Sequence, residues 1–395
     1  MNPLKIGWID YSSDHRDKVM AVLHALSSEG AVDELGIGQV RDRFSDILFP
    51  GTSTIQTRAK YFFIIPYLLM EIEKESFDSP NKLINKLWDA ELDLIDILLK
   101  GDRNGVIGAS ARKKLKRKPS EIYWSGLRTF GFLKSNLTLK SYTKAVYSQK
   151  AKQKSSLDFG SETESNINDI DGDNASTFWR CLSPEDNWKD NLKIELTREE
   201  ASFLNDKIIT ADKSKDSLFS YLLEEGPNCV DKLENLNYIE SDSLPTHIKH
   251  DFIKAQNFNE FILGATIRYN CILSNGKNED ANKLWAEWLE SDFVKKYFTS
   301  FDYKEILDSL YIKNIRLRRF LSNWQKIALS GNDEEIDNLI IKREIELKGN
   351  DRAKLNNTKI HSYEHGDWIG SKGLEYRFND AKIIMNDIFA GLEDK

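Results

Sequence analysis

The fold class is decided by one stretch, residues 32–67, which reads VDELGIGQVRDRFSDILFPGTSTIQTRAKYFFIIPY. An apolar run, Tyr61 to Met70, begins near its end. This run is apolar nearly all round a helix, which predicts a buried helix rather than a surface helix. Pro66 should kink the helix because proline removes one backbone hydrogen bond. The run is too short to cross a bilayer core of about 30 Å, so it predicts the centre of a globular core.

The first half of this stretch predicts a helix over 39–48 that ends at Pro50-Gly51. Ser53 and Gln56 match a capping box, which would open the next helix. Arg58 borders the apolar run, so we expect its guanidinium to be partly buried and paired with Asp42 or Asp46. Two interpretations stay open, a structural Arg–Asp network with an ordinary cap or an anion site at a helix N-terminus. The candidate anion-binding residues are Thr52, Ser53, Thr54 and Arg58.

Helical spacing of apolar residues extends over most of the remaining chain. Ser13 can cap an N-terminal helix, and Thr197 with Glu200 forms a second capping box. Further helices are predicted at 80–87, 89–100, 217–224, 246–257, 259–274, 280–290, 303–329, 333–347 and 374–392. No alternation over many strands and no repeat of fixed period is present. We therefore predict a mainly α, multi-helical fold.

The composition bounds the class of protein. With 395 residues, 40% hydrophobic and 30% charged, the chain is an ordinary globular sequence, and fibrous and wholly disordered classes are excluded. We predict an N-terminal helical domain over 1–100, a basic subdomain over 101–155, a polar linker over 156–190 and a C-terminal helical domain over 191–395.

Cysteine usage and the first residues bear on the compartment. The three cysteines are far apart and odd in number, so no disulfide framework is indicated. The start shows no basic region followed by a long apolar stretch, as a secretory signal would. We expect a soluble, cytoplasmic protein that is not associated with a membrane.

The charge of the chain is unevenly distributed. Residues 100–154 contain 15 Lys and Arg against two carboxylates, or +13, although the whole chain carries −7. The other 340 residues therefore carry −7 − 13 = −20. A basic segment in an acidic protein is either a site for a polyanion or an internal dock for the acidic remainder.

The basic segment is expected to hold a short basic helix over 109–118 and then an aromatic-rich helix that begins near Pro119. Residues 137–147 are ambiguous between a helix and a β-ribbon. This order is compatible with a small winged-helix-like unit, and a plain helical subdomain is the alternative.

The basic segment supplies the best candidates for nucleic-acid binding. Its cations could neutralise phosphates, Ser120 at the helix N-terminus could contact another phosphate, and Arg128 could reach a base edge. Tyr123 and Trp124 could stack on bases, although their helical spacing suits core packing equally well. The candidate residues are Arg112, Lys113, Lys114, Lys116, Arg117, Lys118, Ser120, Tyr123, Trp124 and Arg128.

No strong catalytic motif is present. The PGTST sequence is not followed by Lys-Ser or Lys-Thr, so it is no phosphate-binding P-loop, and neither a dinucleotide fingerprint nor a nucleophile elbow occurs. We expect no cofactor and no metal site. The alternative is a metal-dependent nuclease that uses Glu344, Glu346 or Asp351, because nuclease sites cluster carboxylates around Mg²⁺.

Six blocks carry a resemblance to a known family. They are GWIDYS (7–12), VDELGIGQVRDRFSDILFPGTSTIQTRAKYFF (32–63), PSEIYWSGLRTFGF (119–132), LTREEASFL (196–204), REIELKGNDRAKL (343–355) and LEYRFNDAKIIMNDIFAGL (374–392). Together they resemble a bacterial family of unknown function along the length of the chain. The resemblance implies an association with helicases and nucleases in prokaryotic antiviral defence or DNA-modification loci, and it transfers no catalytic residue.

We therefore expect a non-catalytic nucleic-acid-binding or adaptor subunit of a multiprotein nucleic-acid-processing system. Its partners would be nucleic acid, which we expect to be DNA, and subunits encoded nearby. Besides the nuclease, a protein-interaction scaffold without nucleic-acid affinity stays open.

Overall fold

The computed structural model describes residues 33–158, 178–356, 363–370 and 372–393. The GWIDYS block and the predicted helix capped by Ser13 lie outside these residues. The described part of the chain is helical and forms no strand, apart from one antiparallel bridge between Leu133 and Trp179. The prediction of a mainly α, multi-helical fold is therefore confirmed. None of the described helices combines the length and apolarity needed to cross a membrane.

The chain divides into two compact units. The larger unit contains Arg41–Gln256 and Glu375–Lys395, and the smaller unit contains Met1–Val40 and Asn257–Leu374. The predicted domain boundaries near residues 100 and 155 fall inside the larger unit. The predicted C-terminal domain over 191–395 contributes residues to both units.

The larger unit contains the following helices in chain order. They are most of α1 (Gly38–Leu48), then α2 (Tyr61–Ile72), α3 (Pro80–Leu98), α4 (Pro119–Thr129), α5 (Leu139–Asp158), α6 (Arg198–Thr210), α7 (Leu218–Glu225), α8 (Pro227–Val230), the first part of α9 (Thr246–Leu273), and α15 (Phe378–Glu393).

Helix α2 forms the centre of the larger unit, as its composition predicts. Phe62 and Phe63 are fully buried, and Pro66 lies inside the helix and is buried too. The Phe62 ring packs edge-on against Tyr123 of α4, with ring centres 5.0 Å apart. Burying an aromatic side chain of this size contributes about 2–3 kcal/mol, so this contact between α2 and α4 holds the basic segment to the core.

The start of α2 differs from the prediction. Gln56 accepts a hydrogen bond from the Ser53 N–H at 3.1 Å, as a capping box requires, but the helix begins only at Tyr61. Residues 53–60 are instead irregular, with turns at 54–55 and 59–60. The local cap signal therefore closes a turn, and the helix starts where the apolar run begins.

Three predictions for the basic segment and for the helices that precede it are corrected. The two helices expected at 80–87 and 89–100 are one helix, α3, whose N-terminus is capped by Ser79. The expected basic helix over 109–118 is a three-residue 3₁₀ turn, Arg112–Lys114. Residues 139–158 form helix α5, so the described residues contain no β-ribbon that could serve as the wing of a winged helix.

The smaller unit contains the remaining described helices. They are the rest of α9, then α10 (Glu279–Glu290), α11 (Asp292–Lys296), α12 (Tyr303–Ser309), α13 (Ile315–Ile327) and α14 (Asp333–Lys348). The helices expected at 246–257 and 259–274 are one continuous helix, α9. The helix expected over 303–329 is instead divided into α12 and α13 by the turn from Leu310 to Asn314.

The start of the described chain is held to α14 by polar contacts. Asp33 accepts the Ile37 N–H at 2.9 Å and so caps the approach to α1. The buried Arg343 donates from Nε to the Leu35 carbonyl at 2.9 Å, and Lys348 pairs with Glu34. These contacts couple two blocks, 32–63 and 343–355, that lie far apart in sequence.

Candidate nucleic-acid interface

The segment from Gly101 to Lys118, which we call the basic loop, connects α3 to α4 and is anchored at its centre. Val106 and Ile107 are buried. The Ile107 N–H donates to the Tyr61 hydroxyl at 2.8 Å, and the Thr57 hydroxyl donates to the Gly105 carbonyl at 2.6 Å. The loop is therefore fixed to the α2 core although it has no regular helix of its own.

Two glycines allow the loop to approach the core so closely. Gly105 and Gly108 have φ angles of +76° and +86°, in the region that favours glycine. A Cβ atom at Gly105 would lie 2.5 Å from Cγ of Arg58, and one at Gly108 would lie 2.7 Å from Cδ1 of Ile95. The path of the loop therefore requires glycine at both positions.

The cations of the loop point into solvent. Lys113, Lys114, Lys116 and Arg117 are exposed, and none has a carboxylate partner within the described residues. Arg112 is exposed as well and pairs with Asp96 of α3. The loop therefore presents at least four unneutralised positive charges over five residues, on a fixed base.

Lys118 is only half-exposed. Its ammonium group donates to the Leu115 carbonyl, and its backbone N–H donates to Glu121 at 2.9 Å. Lys118 therefore closes the loop at the start of α4. Its two hydrogen bonds stabilise this end of the loop, a structural role that the exposed cations do not have.

The N-terminus of α4 is occupied by a carboxyl group of the protein itself. Ser120 is fully buried, and its N–H and hydroxyl donate to Glu91 at 2.5 and 3.0 Å. Burial raises the pKa of the Glu91 carboxyl to about 8. The predicted phosphate contact of Ser120 is corrected accordingly, because Glu91 already fills the position at this helix end.

Tyr123 and Trp124 are core residues. Tyr123 is 0% exposed, and its hydroxyl accepts the Thr57 N–H and donates to the Arg58 carbonyl, both at 2.8 Å. Trp124 is 7% exposed and donates from its indole nitrogen to the Leu137 carbonyl at 2.9 Å. Neither ring has a free face for a base, so the predicted stacking role is corrected to core packing.

Arg128 is not brought to the basic loop. It lies at the other end of α4, about 14 Å along the helix axis from Pro119 at 1.5 Å per residue. Its Nε is buried and has no hydrogen-bond partner among the described residues. A base contact by Arg128 stays a prediction, separate from the loop.

The predicted anion site is not assembled. Arg58 donates from Nε to Asp387 of α15 at 3.0 Å and pairs with Asp102 at 3.3 Å, so two carboxylates already neutralise it. The expected partners Asp42 and Asp46 are instead close to Arg377, which lies 2.7 Å from Asp46.

The three hydroxyl residues of that site are also differently placed. Thr52 is buried and donates to the Phe49 carbonyl at 2.6 Å, Thr54 is exposed, and the hydroxyl of Ser53 has no partner among the described residues. No helix begins at these residues. The geometry therefore favours the structural interpretation of the 41–58 block.

The carboxylates of the nuclease alternative do not form a cluster. Glu344 is fully buried and accepts hydrogen bonds from Tyr269 and Lys348, both at 2.8 Å. Glu346 pairs with Arg343 and Arg319, while Asp351 is exposed. In the described part of the chain no group of three or more His, Cys, Asp or Glu side chains could hold a metal ion.

Sequence reasoning missed Glu91 and Asp387, which organise the surroundings of the basic loop. A signal for Glu91 was available, because it occupies an apolar position of α3 in the series Leu83, Leu87, Glu91, Leu94 and Leu98. An acidic residue on an apolar helix face must find a partner, and here the partner is the start of α4.

Comparison with known proteins places the chain in a family. No curated protein and no solved structure matches it. A family model, described as a family of unknown function (DUF6361), matches residues 4–287. The matched residues include the whole basic loop, α2 and α4. The chain therefore belongs to the DUF6361 family of unknown function.

Proposed function

We propose that the chain binds nucleic acid, DNA in the first place, through the basic loop, as a non-catalytic subunit of a multiprotein system. The observation that carries the proposal is the exposure of Lys113, Lys114, Lys116 and Arg117 without carboxylate partners in the described residues. Some exposed lysines of the larger unit, such as Lys82, are paired with neighbouring carboxylates, whereas the basic loop places within five residues four cations that are unpaired in the described part of the chain.

The rigidity of the loop supports the proposal. A flexible basic tail must lose conformational freedom when it binds, and that loss reduces affinity. The buried anchor at Val106 and Ile107 and the hydrogen bond from Ile107 to Tyr61 fix the loop in advance. The four cations are therefore positioned before the ligand arrives.

The chemistry of the loop favours backbone recognition. Lysine and arginine contact phosphate oxygens, and the aromatic residues that would stack on bases are buried in the core. We therefore expect affinity for the phosphate backbone with little sequence preference from this site. A duplex, with its higher phosphate density, should bind more tightly than a single strand.

The proposal also includes partner subunits, which the chain would bring to DNA. A chain that supplies phosphate contacts, and whose described residues assemble no cluster of metal-binding side chains, would deliver another protein to DNA. The implied association of the family with helicases and nucleases in defence loci supports this role. Co-purification with the products of neighbouring genes tests it, and a chain that purifies without any of these products would contradict the adaptor part.

The test of the DNA site is fluorescence anisotropy with labelled duplex and single-stranded DNA and RNA. Four phosphate contacts give a slope of about −3.6 for log K against log salt, so affinity falls about 150-fold between about 50 and 200 mM salt. The variant K113A/K114A/K116A/R117A is expected to lose most of this slope. It should remain folded because all four side chains are exposed.

A matched control removes four lysines that are already paired. In K82A/K86A/K215A/K249A the lost charges pair with Asp78, Glu75, Asp212 and Asp242 in the larger unit. Both variants lower the net charge equally, so a loss of binding in the loop variant alone identifies the site. Equal binding by both variants would refute the proposal and favour an acidic protein as the partner.

A further inference from the structure

The turn between α12 and α13 displays an unusual surface in the smaller unit. Tyr311 and Ile315 are 84% and 79% exposed, the highest values among the large apolar side chains described. Exposed cations surround them, namely Lys313, Arg316 and Arg319. Large apolar groups are rarely left in solvent side by side with arginine unless the surface binds a partner.

The segment consists of two helices in succession, joined by a short turn, which is the element order of a helix-turn-helix. Helix α12 ends at Ser309 and α13 begins at Ile315, so five residues separate the helices. The apolar positions that face inward are buried, and they are Ile306, Leu307, Leu310, Ile312, Leu317 and Phe320. This burial fixes both helices to the core and leaves Tyr311, Lys313 and the start of α13 exposed.

The turn is rigid. Tyr311 adopts a left-handed conformation with φ +56°, and Asn314 caps α13 by accepting the Leu317 N–H at 3.1 Å. Arg318 joins both sides of the turn, since its guanidinium donates to the Ile312 carbonyl at 2.8 Å and pairs with Asp308. The exposed side chains are therefore presented from a preorganised frame.

The charge of the segment points to a polyanion. Residues 303–327 contain six Lys and Arg against two carboxylates, although the chain as a whole carries −7. Glu346 lies 2.6 Å from Arg319 and 4.0 Å from Arg316, but it also pairs with the buried Arg343. One carboxylate thus faces three arginines, and Arg316 and Arg319 remain 71% and 64% exposed.

We propose that α12, the Leu310–Asn314 turn and α13 form a second DNA site, which reads duplex DNA with the N-terminal end of α13 in the major groove. This is the position in which a helix-turn-helix places base-contacting residues. Lys313, Arg316 and Arg319 bind phosphates or guanine edges, and Ile315 contacts thymine methyl groups. The site is separate from the basic loop and supplies the sequence preference that the loop lacks.

The test compares the variant K313A/R316A/R319A with wild type in anisotropy titrations of a labelled mixed-sequence duplex. Loss of three phosphate contacts reduces the salt slope by up to about 2.7 and weakens binding on the order of 100-fold near 0.1 M salt. The side chains are exposed, so thermal unfolding should be unchanged. I315S, which removes no charge, is expected to weaken duplex binding while the slope stays the same.

The matched control is K283A/K295A/K296A, which removes three exposed lysines of the same unit that are paired with Glu287, Glu290 and Asp292. If the α13 variant binds duplex as tightly as this control, the second site is overturned, whatever the basic-loop variant does. If the basic-loop variant retains wild-type binding while the α13 variant loses it, the second site stands and the first fails. Absence of duplex binding by wild type at low salt overturns both and leaves the α13 surface to a protein partner.

Discussion

Replacing Glu91 by glutamine makes the stability of the larger unit less dependent on pH. Glu91 is buried, and its two oxygens contact the N–H and the hydroxyl of Ser120 at the start of α4. Glutamine preserves both contacts, because its carbonyl oxygen accepts from the N–H and its amide group donates to the hydroxyl. The substitution therefore removes the titration of the group and little else.

The expected size follows from the pKa of Glu91, which burial raises from 4.5 to about 8. A carboxyl with a raised pKa in the folded state contributes most to stability when protonated, below about pH 4.5. Its contribution falls as the pH rises and is lost at about pH 8. One pKa unit corresponds to about 1.4 kcal/mol, so the loss between about pH 5 and 8 is about 3–4 kcal/mol.

The assay is thermal unfolding of wild type and E91Q at several pH values, followed by circular dichroism. Because about 1 kcal/mol shifts the Tm of a unit of this size by about 2–4 °C, E91Q should gain about 6–16 °C over wild type between about pH 5 and 8. Other titrating groups cancel in the difference. Parallel Tm profiles for the two proteins would show that Glu91 is ionised throughout and would refute the reasoning.

Three further substitutions test the surroundings of the interface. G105A should destabilise the larger unit by at least about 1–3 kcal/mol and weaken DNA binding, because Gly105 has a φ of +76° and the new Cβ would meet Arg58. An unchanged free energy of unfolding in urea and an unchanged affinity for DNA in anisotropy would contradict this. D387A should cost about 3–5 kcal/mol in urea unfolding by leaving Arg58 without its nearest carboxylate, whereas the double variant R58M/D387L should recover much of that loss. T197A should cost about 1 kcal/mol by removing the cap that accepts the Glu200 N–H, and a Tm equal to that of wild type would show that the cap is dispensable.

Local signals predicted the elements that local contacts determine. The capping box of Thr197 and Glu200 forms as the sequence indicates, with both reciprocal hydrogen bonds present. The apolar run from Tyr61 is a buried helix because nothing else could accommodate so much apolar surface. These features need no knowledge of distant residues.

Long-range partners determined what the sequence left undecided. Arg58 finds Asp387, which is 329 positions away, and no rule of spacing selects it over Asp42 or Asp46. Tyr123 and Trp124 had a periodicity compatible with either a core or a stacking surface, and packing against α2 and α5 decides for the core. Residues 303–329 contain neither glycine nor proline, so the sequence has no strong helix breaker where the helix divides in two. The only local sign of the division is Asn314, which caps α13.

The central claim is that the unpaired cations of the basic loop bind DNA, and a salt titration of duplex binding tests it most directly. The account predicts that K113A/K114A/K116A/R117A loses up to about 3.6 from the slope of log K against log salt, while K82A/K86A/K215A/K249A keeps the wild-type slope. Identical slopes for the two variants would contradict it.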